Sequence, residues 1–248
     1  MYDNNENSLF LARDRFGIKP LYYYMDKKKL IFSSEMKGLI ALGIPKEIDQ
    51  ASLQTYLHLN YIPSPHTIIK NVSKLNAAHF AKIKANQQLS ISKYYSIPSS
   101  SSTNKISYES AQTQLKGLVE SAVTQRLVAD VPIGTFLSGG IDSSIITAIA
   151  AQHTKNLNTF SIGFKDEPLF DETKYAQLVA NRYKTNHTVF ELTNDDLFQN
   201  LHEVLNYIDE PFADSSALAV NILCFHAKKH VSVALSGDGA DEIFAGYN

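Results

Sequence analysis

The run Ser138-Gly139-Gly140-Ile141-Asp142-Ser143-Ser144 constrains this chain more than any other feature. It follows the apolar stretch Val131 to Leu137 and precedes Ile145-Ile146-Thr147-Ala148-Ile149-Ala150-Ala151, which reads as a buried helix. A strand, a turn of glycines and hydroxyls, and a helix N-terminus together make a phosphate cradle. Glycine lets the backbone approach an anion, and the helix start offers unpaired N–H groups and a positive dipole end. Two familiar phosphate loops do not fit. A Walker A loop needs lysine and a hydroxyl after its second glycine, where this chain has Gly140 and Ile141. A dinucleotide fingerprint fails at Gly237-Asp238-Gly239, because Glu242 stands where the third glycine belongs.

In the remaining pattern, S-G-G-x-D-S-S, the hydroxyls of Ser138, Ser143 and Ser144 can donate to phosphate oxygens beside backbone N–H groups. Asp142 would repel a phosphate, so its expected task is to hold a magnesium ion that bridges to it. The plainer alternative is an ordinary capped helix after a glycine turn. A second glycine run, Leu235-Ser236-Gly237-Asp238-Gly239-Ala240-Asp241-Glu242, follows the short β-branched stretch at 230–234, and Asp209-Glu210-Pro211-Phe212-Ala213-Asp214-Ser215-Ser216-Ala217 precedes both.

The first loop resembles that of the ATP-pyrophosphatase (PP-loop) family. With the second loop and the segment at 209–217, the resemblance narrows to the glutamine-dependent asparagine synthetases. It implies that aspartate and ATP give β-aspartyl-AMP and pyrophosphate, and that ammonia from glutamine then displaces AMP. Ser138, Gly139, Gly140, Ser143 and Ser144 would hold the β- and γ-phosphates. Asp142 and Asp241 would chelate Mg2+, although Asp241 and Glu242 are also ordinary first-turn acids favouring a helix dipole. Leu137, Ile162 and the pair Ser236-Gly237 would seat adenosine. Asp238 would be catalytic, in a position tied to adenylate formation where some relatives carry glutamate.

With 23 basic and 25 acidic side chains and a net charge of -2, nothing favours nucleic acid or an anionic membrane as partner. No stretch approaches the roughly 20 apolar residues of a membrane span. The N-terminus lacks signal-peptide character. One cysteine excludes an intramolecular disulfide framework and suits a cytoplasmic location. The eight histidines show no metal-ligand spacing. The expected partners are therefore small molecules (ATP, aspartate, glutamine or ammonia), with a homodimer left open.

At 248 residues, one large or two smaller domains are expected. Ser8 to Ala12, Leu21 to Met25 and Leu30 to Phe32 read as an antiparallel meander turning at Asp14-Arg15-Phe16-Gly17 and Lys27-Lys28-Lys29. Helices follow at 34–42 and 51–59, then a hairpin of His79 to Lys84 and Gln88 to Tyr95. Residues 13–23 and 33–37 resemble the late part of a class II glutaminase domain, and their charges read as turn and ion-pair scaffolding. A polar linker at 99–104 separates this partial antiparallel α+β domain (1–98) from the rest (105–248). There, a helix from about Tyr108 to Ala129 leads into alternating strands and helices. That pattern predicts a doubly wound parallel sheet with ligands at the strands' carboxyl ends.

Class II glutaminases use an N-terminal cysteine; here residue 2 is Tyr2, and Cys224 reads as a buried residue of a helix in the other domain. The chain also starts inside what resembles a late glutaminase strand and stops soon after the second loop. It is therefore expected to be a fragment truncated at both ends, with Met1 an internal methionine. Two alternatives stand beside asparagine synthesis. One is a related amidotransferase with another carboxylate acceptor, of the surface-polysaccharide or β-lactam type; the other is a non-catalytic ATP-binding fragment.

Overall fold

The computed structural model describes residues 1–84, 88–98 and 106–246; the linker expected at 99–104 lies outside them. The chain divides into two compact units, Met1–Thr103 with Asn206–Asp214 and Asn104–Leu205 with Ser215–Asn248.

In the first unit the elements run β1 (Tyr2–Asp3), β2 (Ser8–Ala12), β3 (Tyr22–Met25), β4 (Leu30–Ser33), α1 (Met36–Ala41), α2 (Gln50–Leu59), β5 (Val72–Lys74), β6 (His79–Lys84) and β7 (Ser90–Lys93). They form two antiparallel sheets, ordered β1-β2-β6-β7 and β4-β3-β5. The expected single meander is therefore wrong: β2 pairs with β6 and not with β3. The reason lies in residues 13–19. The Asp14 carboxylate accepts the N–H groups of Phe16, Ile18 and Lys19, and Arg13 donates to the carbonyls of Gly17, Lys19 and Leu75. This knot carries the chain out of one sheet and into the other. The period-2 rule then sorts the tyrosines of β3. Tyr22 and Tyr24 pack with Met36, Leu39 and Val72, while Tyr23 joins Leu9, Leu11 and Ala81 of the other sheet.

The segment 206–214, which begins with the last two residues of a helix otherwise in the second unit, belongs to this unit. Asp209 accepts the Met36 N–H at 2.7 Å at the start of α1, which has no capping side chain of its own. Glu210 accepts the Ile68 N–H and pairs with Lys74 at 2.6 Å, both side chains nearly buried.

The second unit comprises α3 (Tyr108–Arg126), β8 (Ile133–Phe136), α4 (Ile141–His153), β9 (Asn158–Phe164), α5 (Thr173–Tyr183), β10 (Asn186–Leu192), α6 (Asn194–Tyr207), α7 (Ser216–Ala227), β11 (Val233–Leu235) and α8 (Ala240–Phe244). Its sheet is wholly parallel, ordered β10-β9-β8-β11. Successive residues of each strand point to opposite faces of the sheet. Phe136, Phe160, Ile162 and Phe190 pack under Leu223 and Ala227 of α7. On the reverse face, Thr135 in β8 shares a fully buried hydrogen bond of 2.8 Å with Thr147 in α4. Helices thus cover both faces, as in the doubly wound sheet expected from the alternating pattern. From β8 the chain moves by way of α4 to β9 on one side, whereas β11 joins β8 on the other. That reversal leaves a crevice at the carboxyl ends of β8 and β11.

Candidate active site

Register places both glycine loops at one height. Thr135 pairs with Leu235 across β8 and β11, so Ser138 and Ser236 lie just beyond matched strand ends. A cavity of about 620 Å³ opens there, lined wholly by the second unit. One wall is Leu137, Ser138, Gly140, Asp142 and Ser143; a second is Ser236, Gly237, Asp238, Gly239, Asp241 and Glu242. Phe136, Phe160, Ile162, Phe164, Phe170, Val220 and Leu223 form an apolar part, with Glu172 and Thr173 at the start of α5.

The first loop is held by sterics. Gly139 has φ +90°, and a Cβ there would lie 2.5 Å from the backbone of Tyr175 and Ala176 in α5. Gly140 is the N-cap of α4 and offers no capping side chain, so the first N–H groups of that helix keep their capacity for an anion. The Ser138 hydroxyl accepts the Gly140 N–H and lies 3.0 Å from Ser143 Oγ, which also donates to the Gly140 carbonyl. Ser144 Oγ is buried and, among the described residues, has no hydrogen-bond partner.

The second loop packs directly on the first. A Cβ on Gly237 would stand 3.0 Å from Asp142 Cβ and 3.1 Å from the Ser143 nitrogen. Ser236 Oγ donates to Asp238 Oδ2 at 2.8 Å, which orients that carboxylate. Gly239, at φ +90°, turns the chain into α8, whose first turn carries Asp241 and Glu242.

Of the residues the sequence nominated, Leu137, Ser138, Gly140, Asp142, Ser143, Ile162, Ser236, Gly237, Asp238 and Asp241 line this one cavity. Gly139 and Ser144 do not: the first is pressed on α5, and the second points its hydroxyl into the protein. Cys224 corrects an expectation, since it is exposed on α7 and not buried. Desolvation of the sulfur by its surroundings on α7, and then the negative charge of Asp238, push its thiol pKa up, away from thiolate reactivity. Sequence reasoning missed the wall running from the end of β9 through its connection to the start of α5 (Phe164, Phe170, Glu172, Thr173). Its signal was present, because this too is a connection leaving a strand's carboxyl end.

Among the described residues, no three His, Cys, Asp or Glu side chains gather as a metal cage. Asp142 and Asp241 facing one cavity suit magnesium, which is held by one or two carboxylates together with substrate phosphates and water. Among the described residues no helix is long and apolar enough to cross a membrane.

A parallel sheet carrying two interlocked glycine loops at its switch point defines an α/β nucleotide-site architecture. The asparagine synthase family matches residues 114–248, and the glutamine amidotransferase domain family matches residues 1–95. The chain belongs to the asparagine synthase family. Over its whole length it is 38% identical to a putative asparagine synthetase (glutamine-hydrolyzing) 2 of Methanocaldococcus jannaschii, covering 48% of that protein. It is 34% identical to asparagine synthetase (glutamine-hydrolyzing) 1 of Bacillus subtilis and 28% identical to amidase chyE of Penicillium rubens, covering 39% of each. The chain therefore spans less than half the length of these relatives.

Proposed function

We propose that the second unit binds ATP with Mg2+ and activates the β-carboxylate of aspartate as an acyl-adenylate, which ammonia derived from glutamine converts to asparagine. The observation that carries this reading is the packing of Gly237 on Asp142 and Ser143, which makes two distant loops one cradle. A carboxylate oxygen attacks the α-phosphorus, the bond to the bridging oxygen breaks, and pyrophosphate leaves. Ammonia then bonds to the acyl carbon and AMP departs.

Like charges oppose the first step, so positioning and neutralisation carry the catalysis. The N–H groups opening α4, with Ser138 and Ser143, hold the β- and γ-phosphates. Asp142 and Asp241 hold the metal, which supplies charge neutralisation at the phosphates. Leu137, Ile162, Ser236 and Gly237 seat adenosine against the apolar part, and Asp238, oriented by Ser236, is the catalytic residue of adenylate formation. The nucleophile of glutamine hydrolysis is not assigned to any residue of this chain, whose one cysteine is on α7. Composition favours the cytoplasm as the compartment.

Exchange of labelled pyrophosphate into ATP, with Mg2+ and aspartate present and ammonia withheld, tests the reading. Aspartate-dependent exchange is expected, reduced about 10²- to 10³-fold in Asp142→Asn. ATP binding with no exchange under any carboxylate would overturn it. Exchange supported by another carboxylate and not by aspartate would move the acceptor to that carboxylate and leave the adenylation step standing.

A further inference from the structure

Behind the cavity wall lies a line of buried and half-buried polar groups that the adenylation reading leaves unused. His187 in β10 has Nδ1 2.9 Å from Thr159 Oγ1 and Nε2 3.5 Å from Ser161 Oγ, both on the neighbouring strand β9. Thr159 Oγ1 is also 2.9 Å from Thr185 Oγ1, and Ser161 Oγ donates to the Leu137 carbonyl. Thr159 and Ser161 are buried, and Ser161 itself lines the cavity.

Counting donors fixes the direction. The single hydroxyl hydrogen of Ser161 is committed to Leu137, so Ser161 can only accept from His187, and Nε2 must carry a hydrogen. In the neutral ring, Nδ1 then accepts from Thr159, which accepts from Thr185. Burial lowers the imidazole pKa and favours this neutral form. Leu137 is the last residue before the glycine loop; its N–H donates to the Phe160 carbonyl, so both of its backbone groups are held by β9.

We infer that His187, in its Nε2–H form, is a positioning residue of the nucleotide cavity: through Ser161 it fixes the Leu137 carbonyl and thereby the start of the phosphate loop. The inference rests on the proposed ATP site. Long-range ¹H–¹⁵N correlation of the imidazole in the full chain is expected to show hydrogen on Nε2; hydrogen on Nδ1 alone overturns the inference. In titration calorimetry with MgATP, His187→Leu is expected to weaken binding about five- to tenfold. His187→Gln, which can still donate to Ser161, is expected to stay within about threefold of the unchanged chain. A Leu variant that binds normally, or a folded Gln variant as weak as Leu, overturns it. If the Leu variant fails to fold by circular dichroism, Ser161→Ala takes its place, with the same loss expected and normal binding overturning the inference. An unchanged chain that binds no MgATP defeats the ATP reading instead, and the imidazole spectrum still decides the Nε2–H form.

Discussion

Replacing Gly139 with alanine separates two reasons why the phosphate loop needs glycine. At φ +90° an L-residue is strained, by about 1–2 kcal/mol. The added Cβ would also sit 2.5 Å from the backbone of Tyr175 and Ala176, where ordinary contact begins near 3.5 Å. The loop or α5 must therefore move by roughly 1 Å, and overpacking of this kind costs about 1–3 kcal/mol more. Gly239 is the matched control: it has the same φ of +90° with nothing within 4 Å of its Cβ position. Urea unfolding followed by far-ultraviolet circular dichroism, in a chain without tryptophan, should show Gly139→Ala losing roughly 2–5 kcal/mol and Gly239→Ala only about 1–2. A shift of about 1 Å at the phosphate cradle should also lower pyrophosphate–ATP exchange on the order of 100-fold. Equal stability losses in the two variants would refute the claim that α5 sets the position of the first loop.

The Thr135–Thr147 pair should be strongly non-additive. Either threonine changed to valine strands a buried hydroxyl at a cost of about 1–3 kcal/mol, while the double valine variant should be close to neutral in the same unfolding assay. Lys74→Met leaves Glu210 buried without its cation and should cost the first unit about 3 kcal/mol; a thermal melt unchanged by the substitution would count against the buried pair. Tyr22 is buried near Glu210 and Asp209, and its pKa is raised, by burial first and by those charges second. A raised folded-state pKa contributes stability that is fully present below the unfolded tyrosine value of about 10 and is lost as pH climbs above it. The urea midpoint should therefore fall between pH 9 and pH 11 (roughly one unit either side of that value), and Tyr22→Phe should flatten the fall.

Features encoded by neighbours in sequence were legible; features set by which strands lie side by side were not. Gly139, Gly140 and Asp142 announce a turn, a cap and a first-turn acid within five positions, so the loop can be read without its surroundings. The wall formed by Phe164, Phe170 and Glu172 cannot, because it reaches the cavity only when β9 lies beside β8. Likewise Asp14 reads as a turn residue, yet nothing local says that Arg13 will reach the Leu75 carbonyl and direct β3 away from β2. The helix around Cys224 misled for a related reason. α7 is apolar nearly all round, a pattern that implies burial on every side, but only Ile222, Leu223 and Ala227 are buried in it. The glycine loops show both kinds of information acting together. Gly237 is locally a turn residue, but the tight space for any added Cβ is set by Asp142 and Ser143 on the other loop. A substitution at 237 should therefore disturb the first loop as much as the second, although some hundred residues of chain separate them.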